Sequence, residues 1–343
     1  MASGAAQKLS RGSILIVALW SLCLLSMFTV VLGVGIRQRM GLVQRLDASE
    51  RLRFAAEAGV KMAMAELRRE DETPDFDALN EPWSNLPSAF KEVVIGECLV
   101  SVGYDYREDG AVKTRFGLLD EESKINLNTA DVRTITRLLI LAAGLDEEDA
   151  KRLAYRIVDW RDPDSAYQHP NYGAEDSDYR FLKNPYEAKD APFETLDEIL
   201  LVMGMTDDLY ERIGEYATVY GKGTVNINTT SRVVLLSMGI KEGLVDRIMR
   251  YRNGEDLQEG TPDDQLFLEP QGIVAEISQG LHLSPSELAE LSNAFTQGNF
   301  STTSNTFMIR SVARSTIQRD RFQVVTVVDR SGEVLYWRES DLL

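Results

Sequence analysis

The densest run of chemistry-bearing side chains in these 343 residues lies between Asp162 and Glu198. There ten carboxylates (Asp162, Asp164, Glu175, Asp176, Asp178, Glu187, Asp190, Glu194, Asp197 and Glu198) face three bases, Arg180, Lys183 and Lys189. Clustered carboxylates on a turn-rich loop suit a hard, oxygen-seeking cation, because Ca²⁺ takes roughly six to eight oxygens and accepts irregular geometry. Asp162, Asp164, Glu175, Asp176 and Asp178 are the expected metal ligands. Their spacing is not that of an EF-hand, which needs alternating acids, a central glycine and a terminal glutamate within about twelve residues. The same loop also reads as a plain solvated acidic surface, and spacing alone does not separate the two. Paired carboxylates can serve glycosidase or protease chemistry, but no nucleophile, base and orienting group recur near one another, so no active site is expected. The two histidines, His169 and His282, leave little for imidazole catalysis, and Cys23 and Cys98 can build neither a disulfide framework nor a zinc cluster.

The elements that position this loop are helical and repeated. Residues 125–130 read INLNTA and residues 225–230 read VNINTT. Each leads into an apolar helix, then a glycine (Gly144, Gly239), then a second helix ending at Arg156–Arg161 or Arg250–Arg252. The asparagines and threonines are expected to cap the helices that follow them. A third hairpin, FETLDEILLVMGMTDDLYERIGEY, turns at Gly204. Such hairpins resemble helix-hairpin-helix modules of DNA-binding proteins, whose glycine-rich turns offer backbone amides to a phosphate. Here the position two after each glycine is Asp146, Thr206 or Lys241, and Glu147, Glu148 and Asp149 follow the first. With 37 basic against 54 acidic residues the net charge is −17, which repels a polyanion. The hairpins therefore read as protein-packing scaffolds, and no nucleic-acid partner is expected.

The two ends of the chain supply the rest of the frame. Ser13 to Ile36 carries no charged residue, and 24 helical residues span ~36 Å, enough for a ~30 Å hydrocarbon core. This is a membrane helix, longer than the roughly 7–15 apolar residues of a cleaved secretory signal. Lys8 and Arg11 precede it and Arg37, Arg39 and Arg45 follow it, so charge leaves its orientation open. Apolar residues at helical spacing continue through Leu42, Leu46, Leu52, Ala55, Ala56, Gly59, Met62, Ala63 and Leu67, predicting one helix over 13–70 that ends at Thr73 and Pro74. Its small residues suit close approach of a sheet or a neighbouring helix. Residues 92–119 hold two strand-like runs around a turn at Glu108–Gly110, and residues 306–339 hold three, with turns at Gln318–Arg321 and Arg330–Gly332. One antiparallel sheet is expected, in an α+β architecture: a long N-terminal helix on a small sheet, with an α-helical domain inserted over about 120–300.

The start RGSILIVALW resembles the prepilin cleavage site of type IV pilins and type II secretion pseudopilins, a short basic leader ending in Gly12 before an uninterrupted apolar helix. IVDWRDPDS, YGAEDSDY, KDAPFETLDEILLVMGM and TVYGKGTVNINTTS together resemble the K family of minor pseudopilins of the type II secretion system across essentially the whole chain. Most pilins carry Glu at the fifth mature position; that position is Val17 here, a departure typical of the K subunits.

The resemblance implies a pilin-like fold with a SAM-like, helix-hairpin-helix-like insert. It divides the chain into a leader (1–12), a transmembrane part (13–36), the helix continuation and first strands (37–119), the helical insert (120–300) and the last strands (301–343). It implies cleavage by prepilin peptidase between Gly12 and Ser13 and methylation of the new Ser13 amine. It places the N-terminus in the cytoplasm, the span in the bacterial inner membrane, against its lipid, and the C-terminal part in the periplasm. The K subunit would join the I and J minor pseudopilins at the pseudopilus tip, starting and capping a non-enzymatic assembly for export of folded proteins. Calcium bound in the helical domain, as a structural ion, also follows from the resemblance. The other function left standing is a membrane-tethered DNA receptor of a competence-like system.

Overall fold

The computed structural model describes residues 11–69, 76–108, 111–268, 274–275, 278, 283–296, 299–317 and 320–342. Helix α1 (Arg11–Leu67) is unbroken. Its first half, from Ile14 to Ile36, exposes one large apolar side chain after another, among them Trp20 and Phe28, and none of this stretch is buried against protein. Such a surface is solvated by lipid rather than water.

Higher up, the same helix becomes one-sided. Leu52, Ala55, Ala56, Val60, Ala63 and Leu67 are buried at spacings of three and four, the period that brings side chains to one face. Gly59 lies at the centre of that face, where a Cβ would overlap Ser311 and Val100. The small residues thus let the helix backbone rest directly on the chain's own sheet. The helix ends at Leu67; Thr73 and Pro74 lie outside the described residues.

After the short helix α2 (Pro87–Phe90) come β1 (Val93–Ile95), β2 (Cys98–Val102), β3 (Tyr104–Glu108), β4 (Ala111–Arg115) and β5 (Leu119–Asp120). The inserted unit opens with a 3-10 turn (Glu121–Ser123) and β6 (Ile125–Asn126), followed by α3 (Val132–Ala143), α4 (Glu147–Arg161) and α5 (Asp176–Tyr179). A 3-10 helix (Leu196–Leu201), α6 (Asp207–Ile213), β7 (Ala217–Thr218), β8 (Val225–Asn226), α7 (Arg232–Ser237), α8 (Glu242–Arg252), α9 (Pro285–Thr296) and β9 (Phe300–Ser301) complete it. The chain then returns to the sheet through β10 (Thr306–Ser315), β11 (Arg321–Asp329) and β12 (Val334–Leu342).

The main sheet is antiparallel in the order β1-β2-β10-β11-β12, with β5 paired to the start of β10. Phe307, Ile309 and Ala313 of β10 and Phe322, Val324 and Val328 of β11 alternate toward α1, and Trp83 and Phe90 close the layer. Trp83 meets Phe307 edge-on, with centroids 5.1 Å apart. The expectation of a single sheet needs one correction. Val93 pairs with Val100 across a turn at Gly96 (φ 59°), whereas β3 and β4 pair only with each other as a separate ribbon. The chain leaves the sheet at Gly103, which abuts the Arg115 carbonyl too closely for any Cβ.

Candidate functional site

Inside the insert the two sequence repeats are structural repeats. Asn126 and Asn226 each accept from the amide two residues on, Asn128 and Asn228. The Asn128 side chain exchanges two hydrogen bonds with the Phe193 backbone, at 2.8 and 2.9 Å, and Asn228 does the same with Phe267, at 2.9 and 3.0 Å. β6 pairs in parallel with β7, and β8 with β9. These asparagines do not cap the following helices as expected. Asp131 and Ser231 do, each accepting from the third helical amide. The asparagines instead tie each hairpin to the far end of the loop that follows it.

Two of the three helix–helix turns are occupied where a phosphate would bind. Gly144 (φ 71°), Gly204 (φ 95°) and Gly239 (φ 92°) supply the left-handed residue, but Asp146 and Thr206 then cap the next helix through Asp149 and Leu209. In these two turns a side-chain oxygen occupies an amide that a phosphate would use, whereas Lys241 after Gly239 supplies no such cap. The first leg of the middle hairpin is a 3-10 helix, not an α-helix.

The acidic loop leaves the end of α4 and folds back on it. Asp159 is fully buried and accepts from the amides of Gln168 and Ala174, both at 3.0 Å, which pins the loop between them. Gly173 lies so close to the Asp159 carboxylate that a Cβ has no room. This reversal delivers Glu175 into the fold. Glu175 is 2% exposed, yet neither carboxylate oxygen has a hydrogen-bond partner. The amide of Asp178 bonds to the Glu175 carbonyl instead.

Burial, then the neighbouring charges of Asp159, Asp162, Asp190 and Asp164, push the Glu175 carboxyl up to about 8. Asp159 is raised to about 6, mainly by burial. Burial also lifts Asp162 and Asp190, each of which has one buried oxygen without a partner.

The expected ligands divide. Asp162 and Asp164 lie toward Glu175 in the electrostatic sense just given. Asp176 accepts from the amide of Ala188 at 2.9 Å and from Arg180 at 3.4 Å, and Asp178 accepts from the Glu175 amide at 3.0 Å and the Tyr167 hydroxyl at 2.8 Å. These two brace the loop. Asp159 and Asp190 take part without having been expected. The signal for Asp159 was its place in the last turn of α4, three residues before the capping position Asp162.

Among the described residues no three acidic, histidine or cysteine side chains are already gathered in a metal-holding group. The orphaned oxygens are nonetheless what a cation would satisfy, and the donor set is oxygen throughout, which fits a hard divalent ion. His169 stacks on Tyr172 with centroids 4.3 Å apart, and its Nδ1 accepts from the Asn171 amide, so it serves the loop's structure. His282 lies outside the described residues.

At the other end, Gly12, Ser13 and Val17 fall within α1, and Val17 is exposed among the apolar side chains of the bare segment. The residues of the leader before Arg11 lie outside the described residues.

A membrane-length helix that runs on as the cover of a small antiparallel sheet, with a duplicated helical unit inserted between its strands, defines a pilin-like α+β fold with an apolar N-terminal anchor. The family model for the type II secretion system, protein K, matches residues 116–222. Type II secretion system protein K of Pseudomonas aeruginosa is 28% identical over 240 residues, 67% of this chain and 69% of that one. The proteins of the same name from Pectobacterium carotovorum subsp. carotovorum (32% over 113 residues) and Aeromonas hydrophila (36% over 95) align over about a third of their lengths or less, 34% and 28%. A chain of the GspK-GspI-GspJ complex from the enterotoxigenic Escherichia coli type 2 secretion system shares the fold. Its TM-score is 0.65 at 18% identity, covering 87% of this chain and 99% of that one. The chain is thus similar to type II secretion system protein K in the family domain at residues 116–222 and, with the P. aeruginosa protein, over 67% of its length.

Proposed function

We propose that this protein is a non-enzymatic minor pseudopilin that starts and caps the type II secretion pseudopilus, whose assembly drives export of folded proteins across the outer membrane. The carrying observation is α1: one helix bare and apolar over Ile14–Ile36, then locked through Gly59 onto its own sheet. A subunit so built stands upright on a membrane and presents its insert at the far end. The solved complex, in which the fold neighbour is bound to GspI and GspJ, supports I and J pseudopilins as partners. In this reading prepilin peptidase cuts between Gly12 and Ser13 in the inner membrane, the Ser13 amine is methylated, and the sheet and insert stand in the periplasm. Val17 offers no carboxylate to the amine of a subunit above it. A terminal position therefore leaves no charge unpaired in the lipid.

The insert would hold calcium as a structural ion. Glu175, Asp162 and Asp190 offer oxygens that nothing else satisfies, with Asp159 and Asp164 adjoining. When bound, the ion would supply the positive charge that lets these carboxylates stay ionised in the interior.

The test is native mass spectrometry of the full chain, extracted in detergent after co-expression with prepilin peptidase and mixed with I and J pseudopilins. A ternary complex whose K chain lacks residues 1–12 and carries one added methyl group is expected. Failure to bind either pseudopilin refutes the reading. The DNA-receptor alternative finds no support in the comparisons, and two of the three hairpin turns have an amide already capped by Asp146 or Thr206.

A further inference from the structure

Helices α3 and α4 enclose a cleft of about 470 Å³ against the start of the acidic loop. Arg133 and Arg137 line it from one face of α3, Lys151 and Tyr155 from one face of α4, and His169 and Tyr172 from the loop. The second repeat shows that the hairpin scaffold does not need this set. With INLNTA aligned to VNINTT, and Arg161 to Arg252, the four helix positions hold Val233, Ser237, Glu242 and Asp246. There Arg232 reaches from α7 to Glu242 and Asp246 on α8, at 2.9 and 2.8 Å, and ties the two helices together. The apolar positions are kept in both copies: Leu153, Ala154 and Ile157 are buried, as are Leu244, Val245 and Ile248. Packing accounts for those residues, and not for the arginines and rings of the first cleft.

The rings form a fixed platform. His169 and Tyr172 stack with centroids 4.3 Å apart, and Tyr155 lies nearly parallel to Tyr172 at 5.8 Å. The Tyr172 hydroxyl donates to Glu148 at 3.0 Å, and the His169 carbonyl accepts from the amides of Tyr172 and Gly173, at 3.1 and 2.9 Å. All three rings are half-buried, so the platform still borders open space. Charge is the second component. Of the four charged side chains lining the cleft three are basic, and the acid, Glu147, is held by Lys151 at 2.6 Å. Among the described residues Arg133 and Arg137 make no ion pair; Arg137 donates to the Ser237 carbonyl at 3.4 Å. Asp131 acts on both electrostatically, but its carboxylate is engaged by the Thr134 amide at 2.7 Å. Two guanidinium groups without a carboxylate partner thus make a basic spot on a chain of net charge −17.

We propose that this cleft binds an acidic sugar, its pyranose ring lying on the platform of Tyr155, His169 and Tyr172 and its carboxylate on Arg133 and Arg137. The C–H face of a pyranose is apolar and fits the face of an aromatic ring. A guanidinium takes a carboxylate through paired hydrogen bonds. The volume falls within the roughly 300–1,000 Å³ of small-ligand sites. A nucleic-acid strand could also stack its bases on the rings, but its phosphates would meet Glu147, Glu148 and Asp149 in the first turn of α4 and the negative charge of the whole chain. An acidic peptide would use the arginines and leave the rings without a role.

The test titrates the full chain, in detergent with calcium present, by calorimetry and saturation-transfer NMR. The probes are the cell-wall disaccharide N-acetylglucosaminyl-N-acetylmuramate, digalacturonate, and diacetylchitobiose, which differs from the first by lacking the carboxylate-bearing lactyl group. At least tenfold tighter binding of an acidic probe than of chitobiose is expected, with the strongest saturation on the C–H protons of one ring face. A tighter muramate disaccharide assigns the site to the cell wall and a tighter digalacturonate to a free polyuronate; either supports the proposal. Arg133→Gln, at an exposed position without an ion pair, should bring the acidic probe down to the affinity of chitobiose and leave the melting temperature unchanged. Tyr172→Leu should weaken every probe at least tenfold, and Asp246→Asn, at the matching place in the second repeat, should weaken none. Equal affinity for acidic and neutral probes, undiminished binding by Arg133→Gln, or adenosine monophosphate binding as tightly as the acidic sugars would each overturn the proposal. So would the absence of binding by all three sugars at millimolar concentration.

Discussion

The joint between sheet and insert is built on buried carboxylates, and its response to acid follows from them. Both crossings of the chain pass through it, at Leu119–Ile125 and at Ser301–Thr306. Asp120 accepts from Ser304 at 2.6 Å, from Thr229 and from the Glu122 amide at 2.7 Å, and Asn226 bridges Asp77 and Ser304. Arg330 pairs with Asp77, and Lys124 is committed to Glu121 at 2.6 Å. Among the described residues no lysine or arginine pairs with Asp120 or Glu122. Burial lifts Asp120 to about 6 and, with the Asp120 charge, Glu122 to about 7.

The native state therefore keeps protons that the unfolded chain releases near 4, and stability falls as pH rises from about 4 to about 7. Between pH 5 and pH 7.5 a carboxyl titrating at about 6 contributes about 1 kcal/mol and one at about 7 about 3 kcal/mol, and because the two acids titrate as a pair we take about 3 kcal/mol for both. Asp131 and Asp329 are held below the usual carboxylate range, so they titrate beneath this window. Urea unfolding of the full chain in detergent, with saturating calcium to hold the loop acids ionised, should show about 3 kcal/mol more stability at pH 5 than at pH 7.5. Asp120→Asn should remove more than half of that difference. An unchanged pH dependence in Asp120→Asn, or a wild type less stable at pH 5, would refute the reasoning.

Calcium at a hundredfold excess over its dissociation constant should stabilise the fold by about 2.7 kcal/mol, read as a rise in melting temperature, and Glu175→Gln should abolish the rise. Gly59→Val should cost about 1–3 kcal/mol in chemical denaturation, because Ser311 and Val100 occupy the space its side chain needs. Asn128→Ala should cost about 2 kcal/mol and weaken calcium binding, since it frees the Phe193 end of the acidic loop; Asn228→Ala should cost as much without touching calcium.

What the sequence made legible was whatever repeats locally. An uncharged run sets a membrane helix whatever surrounds it, and the 52–67 stripe sets the packed face of α1. Alternation in residues 306–339 placed three strands because both faces of each are fixed by neighbours already in register. The hairpin expected around Glu108–Gly110 is the ribbon β3–β4; the β1–β2 hairpin was missed because those strands are too short to show alternation and Gly96 looks no stronger as a turn. The role of the asparagines was misread for a different reason. Capping is settled within four residues, whereas Asn128 bonds to Phe193, 65 residues away, and no local pattern records that partner. The acidic loop was visible by density alone. Which of its carboxylates meet depends on the phase of α4 and the reversal pinned at Gln168 and Ala174, so Asp159 and Asp190 emerged only in three dimensions.

The duplication bears on why the proposed ion is assigned to one loop and not the other. Arg161 and Arg252 occupy matching places, donating to the carbonyls of Ala130 and Thr230. In the second repeat Arg252 also pairs with Glu259 at 2.6 Å, and Asp263 accepts from the amides of Glu255 and Asp256, at 2.7 and 3.1 Å. Guanidinium and backbone satisfy those acids. In the first repeat one Arg161 nitrogen remains buried without a partner, and the carboxylates around Glu175 retain orphaned oxygens. A buried acid needs either a proton or a cation, and the two copies of one scaffold meet that need differently. Chelation should therefore raise amide exchange across 162–192 and leave 253–267 protected. Equal loss of protection in both loops would show that the second depends on metal as well.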